Sequence, residues 1–237
     1  MARDFIIFNE TMHKMKNFRQ LGLVICILTG NMATYAQKTI AEGTIVYDMT
    51  IQVGNTLPQK GDALAGASNT VYLKGSSSRT DQVTALGNET TIHDAKLGNA
   101  VILKEFSGQK LMIKLTKENW LAKNKSNSDI KFELLNETKT IDGYSCKKAI
   151  AKMADGKTFT VYYTPDLLVA NKEYDPTFAS LPGLAMEYEI ESGSMKFKFI
   201  VSKISFDAVH VSKFDFPKSG YRVMTYEENQ QMKKGNQ

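Results

Sequence analysis

The amino-acid sequence predicts a mainly β protein organised around an antiparallel sheet with one wet face and one apolar face. Short alternating segments recur between residues 44 and 225, turn-forming clusters separate them, and helix-forming stretches are scarce. The clearest segment is Leu181–Ile204, LPGLAMEYEIESGSMKFKFIVSKI. A two-residue turn at Ser192-Gly193 sets Ile190 opposite Met195, Tyr188 opposite Phe197 and Met186 opposite Phe199. The same register sets Glu189 against Lys196 and Glu187 against Lys198. Side chains alternate along a strand, so one face is apolar and the other is a ladder of opposite charges.

The chain in order supports this reading. In Thr44–Val53, Ile45, Tyr47, Met49, Ile51 and Val53 point one way and Thr44, Asp48, Thr50 and Gln52 the other. Gly54–Asn69, with Pro58 and several glycines, is a loop. Strands are expected at Thr70–Leu73, Arg79–Leu86, Glu89–Asp94, Ala100–Phe106 and Lys110–Thr116. Thr116–Lys123 reads as a helix capped by Thr116, with Trp120 and Leu121 as its apolar side, after which Asn124–Asp129 returns the chain to the sheet. Lys131–Leu135 and Cys146–Met153 are strands flanking a turn at Asp142-Gly143. Ala154-Asp155-Gly156 makes a three-residue hairpin into Lys157–Tyr163, pairing Ala151 with Phe159 and Ala149 with Val161. Thr164–Ser180 is a connection, Ala208–Phe214 and Tyr221–Thr225 are further strands, and Glu227–Gln237 is a fraying polar tail.

Lys14, Lys16 and Arg19 precede an apolar run at Leu21–Leu28, followed by small and polar residues up to Ala36. Charge, a short greasy core and then small residues are the pattern of a cleavable signal peptide, here residues 1–36 with translation starting at Met15. The run is too short to span a bilayer, which takes about 20 apolar residues. The expected location is therefore the periplasm or the exterior, with a single β-rich domain over residues 37–228 and a polar tail over 229–237. Of 30 basic and 25 acidic residues, 26 and 23 lie beyond the leader and are interleaved, which lacks the clustered footprint of nucleic-acid binding. Only Cys146 remains after cleavage, so no disulfide can form within the mature chain, and a buried inert thiol is the plain reading.

No nucleophile elbow, zinc-binding helix motif, paired-cysteine motif, phosphate loop or dinucleotide fingerprint occurs, so neither an enzyme nor a cofactor is expected. His93 and Asp94 are adjacent on a strand and point to opposite faces, which argues against a dyad and for an exposed or sheet-face histidine near a turn. Glu187 and Glu189 share a face with lysines opposite, as a solvated ion-pair ladder does. The apolar face is rich in thioethers and rings. It is either ordinary core or, where a curved sheet leaves room, the lining of a greasy site. Tyr47, Met49, Met112, Trp120, Met186, Tyr188, Phe197 and Phe199 are the candidate ligand-lining residues.

Ser180–Ile190, SLPGLAMEYEI, resembles the signature of the GLPGLI family, and Ile141–Ala151, IDGYSCKKAIA, resembles a second segment of the same proteins and of a related uncharacterised group. Phe214–Glu228, FDFPKSGYRVMTYEE, is similar to the end of that second group. The resemblance implies an exported envelope protein distantly similar to LolA/LolB-type lipoprotein carriers. Their fold is a curved antiparallel sheet in an incomplete barrel, with one or two short helices or loops over the concave face. It also implies a hydrophobic ligand, a lipid or lipoprotein acyl chain, held without chemistry. The rival expectation is an envelope module with a filled core that holds a protein partner.

Overall fold

Strand alternation builds one continuous sheet in the computed structural model, which describes residues 37–54 and 66–235. The signal-peptide reading and most of the Gly54–Asn69 loop lie outside those residues. The chain divides into two units, Met1–Ala36 and Gln37–Gln237, and the second holds every described residue.

The strands run β1 (Lys38–Ile40), β2 (Glu42–Val53), β3 (Ala67–Lys74), β4 (Ser77–Thr84), β5 (Gly87–Asp94), β6 (Ala100–Phe106) and β7 (Gln109–Leu115). Helix α1 (Lys117–Ser128) follows, then β8 (Lys131–Ile141), β9 (Tyr144–Lys152), β10 (Thr158–Thr164) and β11 (Leu167–Val169). After two 3-10 turns, Lys172–Tyr174 and Pro176–Phe178, come β12 (Leu184–Ser192) and β13 (Met195–Ser205). A 3-10 turn at Val211–Phe214, β14 (Arg222–Thr225) and helix α2 (Tyr226–Gly235) close the chain. Among the described residues twelve strands pair in the order β14-β7-β6-β5-β4-β3-β2-β13-β12-β10-β9-β8. The edge strands β14 and β8 do not pair with each other, so the barrel is incomplete, as expected. Two pairings depart from the antiparallel expectation, for β14 runs parallel to β7 and β1 pairs with β11 in a separate parallel ribbon.

Helix α1 leaves β7, beside one edge of the sheet, and delivers the chain to β8 at the other edge, so it crosses the inner face. Its start is a reciprocal cap, the Asn119 amide donating to Thr116 Oγ1 (3.3 Å) and the Thr116 amide to Asn119 Oδ1 (3.2 Å). The helix runs past the expected Lys123 because Asn124 turns inward and donates to the Trp120 carbonyl (2.9 Å). Trp120 packs with Ala100, Ile102, Ile113 and Leu115, whereas Leu121, expected beside it, is exposed.

Four other expectations are corrected. The long hairpin turns at Gly193-Ser194, pairing Tyr188 with Phe199, Ile190 with Phe197 and Glu189 with Lys198, two residues away from the expected register. Gly193 has φ +61° at the first turn position, as a type II′ turn requires. Shifting by two leaves each side chain on its own face. The charged face therefore survives, with Lys139 and Lys198 on Glu187 at 2.6 and 3.3 Å and Lys196 on Glu191 at 3.1 Å. Val53, expected inward, is exposed where its strand leaves the core. Ala208–Phe214 is not a strand. It passes beside β4, where Arg79 Nη1 donates to the Lys213 carbonyl (3.1 Å) and His210 caps the 3-10 turn. The expected polar tail is helical through Gly235, started by Glu228 donating its amide to Thr225 Oγ1 (3.2 Å) and accepting the Thr225 amide (2.8 Å).

Candidate binding site

The inner face carries two separate apolar clusters. On β2, β9, β10, β12 and β13 it is apolar, and five of the eight expected ligand-lining residues meet there. Tyr47, Met49, Met186, Tyr188 and Phe199 share one buried core, with Phe197 packed partly buried against it. Tyr188 stacks on Phe199 (4.6 Å between ring centroids), and the Tyr47 hydroxyl donates to the Ala185 carbonyl (3.0 Å). Phe178 seats on this surface from the Pro176–Phe178 turn, 4.7 Å from Tyr188, 6.3 Å from Phe132 and 6.4 Å from Phe159. Asp175 caps that turn by accepting the Thr177 amide (3.0 Å), which fixes the ring over the strands.

Met112 and Trp120 do not join this group. Met112 is buried with Val101 and Leu103 against Tyr221, on the face opposite to Ile113. Strand β7 is apolar on both faces, so alternation could not say which of its residues faces inward. Trp120 is on the inner side, but over β6 and β7.

A cleft of about 790 Å³ lies at the end of β5, β6 and β7, walled by Ile92, Leu97, Val101, Phe214 and Phe216, and none of the eight expected residues lines it. Lys114 and Lys117 stand exposed at its rim, with no ion pair among the described residues. Its acids are engaged. Asp94 accepts Ser76 Oγ (3.2 Å) and the Lys96 and Leu97 amides (2.9 and 3.2 Å), and Glu227 accepts Asn119 Nδ2 (2.7 Å). No sequence signal pointed to this cleft, because its walls come from strands and from a late segment that was expected to be a strand up to Phe214 and instead passes beside the sheet.

His93 also borders the cleft and is only 1% exposed, with its ring stacked on Trp120 at 4.2 Å. Neither ring nitrogen has a hydrogen-bond partner among the described residues. Burial lowers its pKa, opposed by Glu173 and Asp94, and so favours the neutral ring. Cys146 is fully buried, its Sγ donates to the Tyr144 carbonyl (3.4 Å), and burial pushes the thiol up to about 11. Among the described residues no group of His, Cys, Asp and Glu could hold a metal ion, and no helix is long and apolar enough to cross a membrane.

Open sheet, crossing helix and rim cleft together define the class, an incomplete β-barrel. The family model for the N-glycanase peptide, N-terminal domain, matches residues 60–179, half of the chain, and the chain belongs to that family. Ile141–Ala151, one of the GLPGLI-like segments, falls inside the match, while Ser180–Ile190 and Phe214–Glu228 fall outside it. Among solved structures the chain is similar to PNGF-II in its P21 crystal form, at 14% identity and a TM-score of 0.48 over 80% of this chain and 33% of that one. It is also similar to MucB, at 8% identity and 0.36 over 78% and 60%, and to LprF from Mycobacterium bovis, at 10% and 0.30 over 70% and 87%. The chain thus spans about a third of the length of PNGF-II. No curated protein matches it in sequence.

Proposed function

We propose that the protein is an exported binding module that shelters the acyl chain of an amphiphile, by burial and without chemistry. The cleft carries this reading. Its volume of about 790 Å³ lies within the range of about 300–1,000 Å³ usual for small-molecule pockets, and most of its lining surface is apolar, with polar side chains such as Asn99, Thr116 and Asn119 among the walls. Each Å² of acyl surface removed from water contributes about 25 cal/mol. Lys114 and Lys117 at the rim suit an anionic head group left in water, the arrangement an amphiphile needs. The export half of the reading rests on the charge, apolar core and small residues of positions 14–36. The cleft takes over the ligand-holding role first expected of the Met186, Tyr188 and Phe199 surface, which Phe178 covers.

Protein stripped of lipid, incubated with membrane lipid extract and examined by native mass spectrometry should acquire an acyl-bearing molecule. Leu97→Asp and Phe216→Asp, at positions 65% and 43% exposed, should abolish uptake without lowering the melting temperature. Failure of the wild type to take up lipid, or equal uptake by both variants, overturns the reading. The filled inner core would then leave the partner-holding module, tested by co-purification from membranes.

A further inference from the structure

We infer that His93 is the polar recognition group of the cleft and selects an acyl chain that carries a hydroxyl along its length. The inference rests on the cleft reading above and adds to it which amphiphile the cleft prefers.

Strand pairing builds the wall that holds this histidine. His93 on β5 stands opposite Ala100 on β6, and Ala100 stands opposite Leu115 on β7. Partners across a ladder share a face, so the three form one row, and all three border the cleft. Trp120 packs with Ala100 and Leu115 and stacks on the His93 ring at 4.2 Å. An imidazole in such an apolar row keeps its hydrogen-bonding capacity and has nowhere to use it. Its two ring nitrogens are the buried side-chain polar atoms left without a partner among the described residues.

Other polar groups of the wall are engaged. Thr116 and Asn119 satisfy each other in the cap of α1, and Asn119 Nδ2 also donates to Glu227 (2.7 Å). Thr225 Oγ1 accepts the Glu228 amide (3.2 Å), and Asp94 holds the β5–β6 turn by accepting the Lys96 and Leu97 amides. Lys114 and Lys117 face water at the rim. The unmet demand is therefore within the apolar wall, at His93.

The chemistry of a buried neutral imidazole selects the group that meets it. Burial disfavours the charged ring against the pull of Glu173 and Asp94, which leaves one N–H donor and one bare acceptor nitrogen. A plain methylene chain leaves both unmet. A carboxylate or phosphate would carry a charge into an apolar wall, which is costly, and the rim lysines already suit it. A carbonyl meets the N–H alone. A hydroxyl donates and accepts, so it pairs with whichever nitrogen it reaches, and it is small and uncharged. The ring is 1% exposed, so entry of the chain draws its edge toward the cleft, and the hydrogen bond formed there has little competition from solvent. The preferred ligand is then an anionic amphiphile with its head at Lys114 and Lys117 and a chain hydroxyl at His93.

The test is calorimetric titration of the full chain with a saturated sixteen-carbon fatty acid and three analogues bearing one hydroxyl, near the head, at mid-chain or near the methyl end. At least one analogue should bind about tenfold more tightly than the parent, which is about 1.4 kcal/mol for one hydrogen bond to a group otherwise unmet. His93→Phe keeps the stack on Trp120 and should erase the preference. Nuclear magnetic resonance of the wild type supplies a measurement that needs no variant, because the His93 ring nitrogen signals should shift on binding the preferred analogue and not on binding the parent. Equal affinity for the parent and all three analogues, a preference that survives His93→Phe, or His93 signals unmoved by a bound analogue overturns the inference and leaves the cleft reading in place. Failure of all four acids to bind overturns both.

Discussion

Phe178→Ala tests how the apolar half of the inner face is closed. The ring is 7% exposed, so nearly all of the roughly 1.5–3 kcal/mol for burying a phenylalanine is at stake. Three aromatic neighbours lie between 4.7 and 6.4 Å, inside the range where ring pairs add about 0.5–1.5 kcal/mol each. Phe132 and Phe159 are only partly buried, which puts their share at the low end. The sum is about 4 kcal/mol, within the roughly 3–5 kcal/mol usual for emptying such a site. For a domain of this size about 1 kcal/mol moves the melting temperature by about 2–4 °C, so the variant should melt about 8–16 °C lower. Urea unfolding followed by circular dichroism measures the same loss as a lower midpoint at unchanged slope. A loss below about 1 kcal/mol would mean that the ring is not what fills this face, and the original expectation of a ligand on Tyr188 and Phe199 would return.

Two further outcomes follow from buried titratable groups. Burial lowers the pKa of His93, so below its ordinary value of about 6.5 the unfolded chain binds the proton and the folded protein resists it. The His93 contribution is therefore full above about pH 6.5 and is lost as pH falls toward the lowered folded value. His93→Phe, which keeps the stack on Trp120, should flatten the fall of the urea midpoint between pH 7 and 5, and an identical pH profile would refute the assignment. Cys146, raised to about 11 by burial, should resist iodoacetamide at pH 8 in the folded protein and react fully in urea, whereas rapid labelling without denaturant would contradict its burial.

Much of the sheet was legible because alternation and turn chemistry agree. The Ala154–Gly156 loop carries Gly156 at φ +84°, and the expected pairs Ala151–Phe159 and Ala149–Val161 are those observed. The Gly193 hairpin shows where legibility stops. A slip of two residues conserves both faces, so the alternation of Glu187 through Lys198 fits either register, and only the preference for glycine at the first turn position separates them. The last helix was legible in principle, since Thr225-Tyr226-Glu227-Glu228 is a capping box, but the segment it starts lacks an apolar stripe. The cleft and the Phe178 lid were not legible, because each depends on an aperiodic segment, Phe214–Phe216 or Pro176–Phe178, crossing residues far away in sequence.

The division of the inner face has a consequence for how stability and binding are distributed. Crossing from β2 to β5, Tyr47 and Ile45 give way to Asn69 and Val71, then to Gln82 and Thr80, then to Glu89 and Thr91. Apolar burial falls along that path, and half-buried amides and hydroxyls take its place. The sealed half therefore contributes the greater part of the folding free energy and the polar half little. Substitutions on the two halves should then separate, Phe178→Ala lowering the melting temperature as above and T80V/T91V leaving it nearly unchanged. If T80V/T91V lowered it as far as Phe178→Ala does, the polar wall would be part of the core.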